Sequence, residues 1–119
     1  DLNLDSGCST SMMPTTDHMT CLCSDNTTVH LADNSKIKAS HRGRAHLPID
    51  GGKEIDALVV PNLYEPLLSV ASLCDENLTL VFLKSSCNIY RTPDFDTSAE
   101  PIGWGYRKGN LYYLLSNEI

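Results

Sequence analysis

From Lys36 to Ile49 the chain alternates strictly. Ile37, Ala39, His41, Gly43, Ala45, Leu47 and Ile49 fall on one face, and Lys36, Lys38, Ser40, Arg42, Arg44, His46 and Pro48 on the other. A period of two over this length predicts one or two half-buried strands. Before it, TTVHLADNSKIKA has apolar flanks around Asp33-Asn34-Ser35, which suits a hairpin tip. After it, Asp50-Gly51-Gly52 predicts a turn and Ile55 to Val60 a strand, ended by Pro61 because proline cannot donate to a ladder. In EPLLSVASLCDEN the residues Leu67, Leu68, Val70, Ala71 and Cys74 recur at roughly helical spacing, predicting a helix over Leu68 to Asp75. LTLVFL and CNIYR read as two strands joined by Lys84-Ser85-Ser86. TPDFDTSAEPIG reads as a polar loop, and WGYRKGNLYYLL as a last hairpin turning at Lys108-Gly109-Asn110. The sum is an all-β chain: a small closed β-barrel with one short helix, in a single domain spanning residues 1–119.

Composition narrows the function classes. Hydrophobic residues make up 41% and charged residues 20%, an ordinary globular mixture. The net charge of -6 and the pI near 5.0 argue against a surface built for phosphate backbones or anionic lipid, so neither nucleic acid nor membrane is expected as a partner. No apolar run approaches the roughly 20 residues of a membrane span. The chain begins so abruptly before Asp5 that it reads as a piece of something longer.

Five cysteines, Cys8, Cys21, Cys23, Cys74 and Cys87, are an odd number and cannot all pair within one chain, which predicts a reducing compartment with free thiols. His18, Cys21 and Cys23 invite a zinc site, but one residue separates the thiols where structural zinc pairs use two to four, and no second pair follows. No metal or other cofactor is expected. Met12 and Met13 read as core filling, and His30, His41 and His46 as surface or hydrogen-bonded residues.

The candidate chemistry stands at the start. LNLDSGCSTSMM carries an acid at the end of an apolar stretch, followed by Ser6 and Gly7. An acid there is costly unless something uses it. Gly7 lets another group approach closely. Apolar residues followed by Asp-Ser-Gly resemble the active-site loop of aspartic proteases, where two such carboxylates share one proton because like charges so close cannot both ionise cheaply. A cysteine-protease reading of Cys8 fails for want of a partner histidine and an oxyanion arrangement.

Four motifs in register extend the likeness over most of the chain. DSGCSTSMM, VHLADNS, ALVVPNLYEPLLSVASL and GNLYYL resemble, in order and spacing from Asp5 to Leu114, the protease region of copia-type LTR-retrotransposon Pol polyproteins. The resemblance implies a retropepsin-like barrel acting as a homodimer on peptide segments of its own Gag-Pol polyprotein, in the cytoplasm within a virus-like particle. It makes Asp5 the catalytic acid, Ser6 the residue whose hydroxyl ties two loops together at the dimer axis, and Gly7 the loop glycine. It makes Val29 to Ile37 a flap over substrate, with Ala32, Asp33, Asn34 and Ser35 nearest the peptide. Leu67, Leu68 and Ser69 would lead into the helix beneath the site, and Gly109 to Leu114 would match the strand that helps build a dimer sheet in retroviral relatives. Two positions depart from the pattern: Leu2 replaces a frequent tryptophan, and Ser11 stands where histidine often precedes the methionine. The other reading of the same barrel is a non-catalytic interaction module of a Pol or domesticated protein.

Overall fold

The computed structural model describes residues 1–30, 34–96, 98–108 and 111–116. Its strands are β1 (Leu2–Asp5), β2 (Ser11–Met13), β3 (Met19–Ser24), β4 (Thr28–His30), β5 (Lys36–Lys38), β6 (His41–Leu47), β7 (Lys53–Val59), β8 (Leu67–Ser69), β9 (Leu78–Phe82), β10 (Ser86–Arg91), β11 (Gly103–Lys108) and β12 (Leu111–Leu114). One α-helix, α1 (Val70–Asp75), joins β8 to β9, and a 3-10 turn covers Thr92–Asp94. The fold is all-β with one short helix, as the alternation predicts.

Ten strands form one sheet in the order β3-β6-β7-β2-β8-β1-β12-β11-β10-β9, and β4 pairs with β5 in a separate ribbon. The sheet turns its inner face on itself, so Leu4, Leu47, Ile55, Leu68, Leu73, Ile89 and Leu114, from opposite ends of the strand order, share one core. A second, smaller cluster holds Met12, Ala39 and Val60, with Cys8, Val29, Ile37, Leu58, Leu63 and Leu67 packed against it. Met12 and Met13 therefore do fill core space, one in each cluster.

The long alternating run is split. Its Ile37 end belongs to the ribbon and its Ala45–Leu47 end to the sheet, with Ala39 and Ser40 between them. The inward set holds across the break: Ala39, Ala45, Leu47 and Ile49 are all buried. β2 and β3 were not expected. β3 is exposed at every position but Met19, so it carries no alternation to read. It pairs with β6 through a bulge between Thr20 and Cys23, where Cys21 takes a positive φ of 56°. Gly43 faces that bulge, and a Cβ there would lie 2.7 Å from the Thr20 carbonyl oxygen.

The helix is shorter than Leu68 to Asp75. Leu67 and Leu68 are extended in β8, which pairs parallel with β1 and, through Leu67, with Met12 of β2. Two neighbouring strands outweigh a weak helical spacing. Ser69 then starts α1 as its N-cap, its hydroxyl accepting from the Ser72 N–H. The buried helix residue is Leu73, whereas Cys74 is exposed. Leu73→Ala should therefore lower the unfolding free energy by about 2–5 kcal/mol. Cys74→Ala, one residue on, should change it by less than about 0.5 kcal/mol. Urea denaturation of the two variants checks the assignment of the inner helix face.

Candidate functional site

Asp5 is the last residue of β1 and lies opposite Ser69 in the parallel β1–β8 ladder. Its neighbours Leu2 and Leu4 face the core, which fixes the strand and brings the carboxylate to the sheet's end. The chain then turns. The Gly7 N–H donates to Asp5 Oδ1 at 2.7 Å. A Cβ on Gly7 would stand 3.2 Å from that same oxygen, so glycine suits the close approach. Asp5 is partly buried, and Ser6 and Gly7 are exposed. The Asp-Ser-Gly triplet thus presents one carboxylate, oriented by one backbone donor, with a hydroxyl beside it.

Residues far along the chain hold this loop. Ser69 Oγ donates to the Cys8 carbonyl at 2.8 Å and accepts from the Ser72 N–H at 3.1 Å. Ser11 Oγ accepts from the Ser69 N–H at 3.0 Å, and Ser72 Oγ donates to the Ser9 carbonyl at 3.2 Å. Ser11 and Ser69 are fully buried, so the bond between them acts where water does not compete, whereas the Ser72–Ser9 bond is exposed. The sequence marks Ser69 as the small residue after two leucines, but nothing in it marks Ser11 or Ser72 as loop anchors.

A groove of about 530 Å³ opens beside the carboxylate. Asp5, Gly7 and Cys8 form one end, Met12, Leu58 and Leu67 the floor, and Thr28, Val29 and His30 of β4 a wall. The β4–β5 ribbon stands over this groove because Val29 and Ile37 pack into the small cluster that contains Met12 and Cys8. Of the four residues expected nearest a substrate, Ala32 and Asp33 lie outside the described residues. Asn34 and Ser35 are exposed between β4 and β5, with Asn34 at a φ of 69° that asparagine tolerates. A second groove, of about 500 Å³, borders Asp5 on its other side and is lined by Asn3, Leu4, Ser6, Val70, Phe82 and Tyr112.

Cys8 lines the first groove, with Sγ placed 3.7 Å from the Asp5 carbonyl oxygen. Burial, reinforced by the negative charge of Asp5, pushes its thiol up to about 11. At neutral pH it is protonated, the opposite of what a nucleophilic cysteine needs. All five cysteines are free thiols. Cys21 and Cys23 are exposed on β3, where Arg42 Nε donates to Cys23 Sγ at 3.2 Å. Among the described residues no group of three or more His, Cys, Asp or Glu side chains could hold a metal ion. His30 and His46 are exposed, and His41 Nδ1 lies 2.9 Å from Ser40 Oγ. No helix among the described residues is long and apolar enough to cross a membrane.

An all-β sheet with an oriented aspartate between two grooves defines the class: a β-barrel domain with a candidate acid site. The family model of the Pol polyprotein beta-barrel domain matches residues 2–78, and the chain belongs to that family. The match covers β1 through α1, hence the Asp5 loop, the ribbon and the first groove, while β9 to β12 lie almost wholly beyond it. No curated protein and no solved structure matches.

The thiol beside Asp5 offers a direct probe of the site. Cys8 should alkylate far more slowly than Cys21 and Cys23 at pH 7.5, and its rate should still be climbing above pH 9. Asp5→Asn removes a negative charge that disfavours the thiolate, so it should shift the Cys8 profile toward lower pH. Iodoacetamide labelling read by mass spectrometry across pH tests both statements; an unchanged Cys8 profile in the variant would show that the two groups do not interact.

Proposed function

We propose that this Pol domain is the aspartic endopeptidase of a copia-type retrotransposon, cleaving its own Gag-Pol polyprotein. The observation that carries the reading is the Asp5 carboxylate, held by the Gly7 N–H at the mouth of a groove walled by a hairpin. The motifs VHLADNS and GNLYYL, at the spacing of that protease region, support it.

The chemistry requires two copies. One chain carries one such aspartate, and a lone carboxylate cannot be both base and acid. With two Asp5 side chains brought together, close like charges keep one protonated. The ionised carboxylate takes a proton from a bound water, which attacks the scissile carbonyl carbon. The protonated one donates to the carbonyl oxygen; the carboxyl that took water's proton then passes it to the departing nitrogen while a hydroxyl of the tetrahedral species returns its proton to the other carboxylate, so that acid and amine leave and the pair again holds one proton. Gly7 fixes the carboxylate's rotamer, and the Ser69 and Ser11 hydroxyls fix the loop. Ser6, exposed beside Asp5, bonds across to the other loop in this reading. The first groove takes the peptide, with the β4–β5 ribbon, which carries Asn34 and Ser35 between its strands, as its cover. Water is the nucleophile, so no cofactor takes part. The setting is the virus-like particle in the cytoplasm, and the substrate is a peptide segment rather than nucleic acid or lipid.

Asp5→Asn keeps the side chain's shape but can neither share a proton nor activate water, so cleavage of a polyprotein junction should fall by about a thousandfold. Parent activity should be bell-shaped in pH, since one carboxyl must be charged and the other neutral. The assay is run where dimers are shown by sedimentation. Equal cleavage by variant and parent removes Asp5 from the chemistry. Dimers that cleave nothing at any pH leave the non-catalytic interaction module as the function.

A further inference from the structure

The sheet has an outer face that the acid site does not use. Asn3 of β1 lies opposite Tyr113 of β12, Tyr113 opposite Tyr106 of β11, and Tyr106 opposite Ser86 of β10, so these residues form one row across neighbouring strands. Their chain neighbours Leu2, Leu4, Leu114 and Cys87 belong to the core. Side chains alternate along a strand, so the row points outward. The Tyr106 and Tyr113 rings stack, with centroids 5.6 Å apart and planes 15° from parallel. Trp104, two residues before Tyr106 and on the same face of β11, is 42% exposed.

A carboxylate borders each ring. The Tyr113 hydroxyl donates to Glu65 Oε2 at 3.4 Å, and Asn3 Nδ2 donates to the same oxygen at 2.9 Å. The Tyr106 hydroxyl donates to Asp1 Oδ2 at 2.7 Å, and the Ser116 N–H to Asp1 Oδ1 at 3.1 Å. Both phenols thus spend their protons on acids. Among the described residues neither Asp1 nor Glu65 forms an ion pair. Asn3 is only 7% exposed, and with Nδ2 committed to Glu65 its Oδ1 is buried without a donor. What the two acids and two phenols still offer is acceptor oxygens and ring faces, and Asn3 adds a carbonyl oxygen that lacks a partner.

We propose that this face binds an arginine side chain on a basic segment of a partner protein, the guanidinium lying on the tyrosine pair and donating to Glu65. A guanidinium supplies what the face lacks: a positive charge, several N–H donors and a flat body that stacks on a ring. Lysine matches the charge but not the plane. Aromatic rows on sheets also stack nucleic-acid bases. Here two acids without a counter-ion would repel the phosphates, and no lysine or arginine belongs to the row, so charge complementarity selects a cationic peptide. The face owes nothing to the Asp5 chemistry, and β11 and β12 lie beyond the stretch that the family model matches.

Trp104 is the chain's one tryptophan, so its fluorescence reports on this face. The chain is titrated at low ionic strength with end-capped hexa-arginine, hexa-lysine and the neutral isostere hexa-citrulline. Hexa-arginine should shift the Trp104 emission saturably and bind about tenfold more tightly than hexa-lysine, and hexa-citrulline should not bind. Glu65→Gln should weaken hexa-arginine about tenfold, whereas Asp75→Asn, the same loss of charge on α1, should change it by less than about twofold. Tyr106→Leu should weaken it about fivefold and Tyr106→Phe, which keeps the ring, by less than about twofold. Circular dichroism checks folding, and Glu65→Gln against Asp75→Asn decides the matter if Tyr106→Leu does not fold. Equal affinity for hexa-lysine and hexa-arginine, or equal losses in Glu65→Gln and Asp75→Asn, reduces the binding to net charge and overturns the inference. A parent with no saturable response overturns it as well. Tighter binding of single-stranded oligouridylate than of hexa-arginine overturns it in favour of a base-stacking face.

Discussion

The parallel pairing of Leu4 with Leu68, and of Asp5 with Ser69, is the contact on which the rest depends. It joins the first strand to a strand more than sixty residues later. It places a buried hydroxyl beneath the loop that follows Asp5, and it delivers the chain directly into α1. Without it the loop from Ser6 to Thr10 would have only its own turn to hold it. The ribbon over the groove depends on the same joint, since Leu67 on β8 belongs to the cluster against which Val29 and Ile37 pack.

That arrangement uses few residues with charge. Ser69 caps a helix, ties a loop and accepts nothing from solvent, all with one hydroxyl and one N–H. The hydroxyls hold the loop's backbone carbonyls and leave the carboxylate itself to the Gly7 N–H. The two grooves on either side of Asp5 then divide the surroundings: one is walled by the ribbon, and the other by Val70, Phe82 and Tyr112.

Much of the strand content was legible because burial was periodic. β6 and β7 alternate cleanly, and Asp50-Gly51-Gly52 turns between them with both glycines at positive φ. Asp5, Ser6 and Gly7 were legible as a unit because local chemistry alone explains them. β3 was not, because an exposed edge imposes no alternation on Thr20, Cys21, Leu22 and Cys23. Leu67 and Leu68 misled because adjacent leucines serve a helix start and a doubly covered strand equally well. Ser11 and Ser72 were silent because their role is a bond to a residue about sixty positions away, which no local pattern encodes.

The position of β1 has a consequence for how the molecule comes into being. Both of its sheet neighbours lie later in the chain, β8 at residues 67–69 and β12 at 111–114. As synthesis proceeds, the strand ending in Asp5 is made before both of its neighbours. Closing loops of that length slows folding, because the entropy is lost before the contacts form. Until Ser69 has emerged the loop after Asp5 lacks its anchor, and until Leu114 has emerged Leu2 and Leu4 have one open flank. The strand that carries the acid is therefore flanked on both sides only when the rest of the sheet exists, and a chain cut before Ser69 carries the triplet without the joint that anchors its loop.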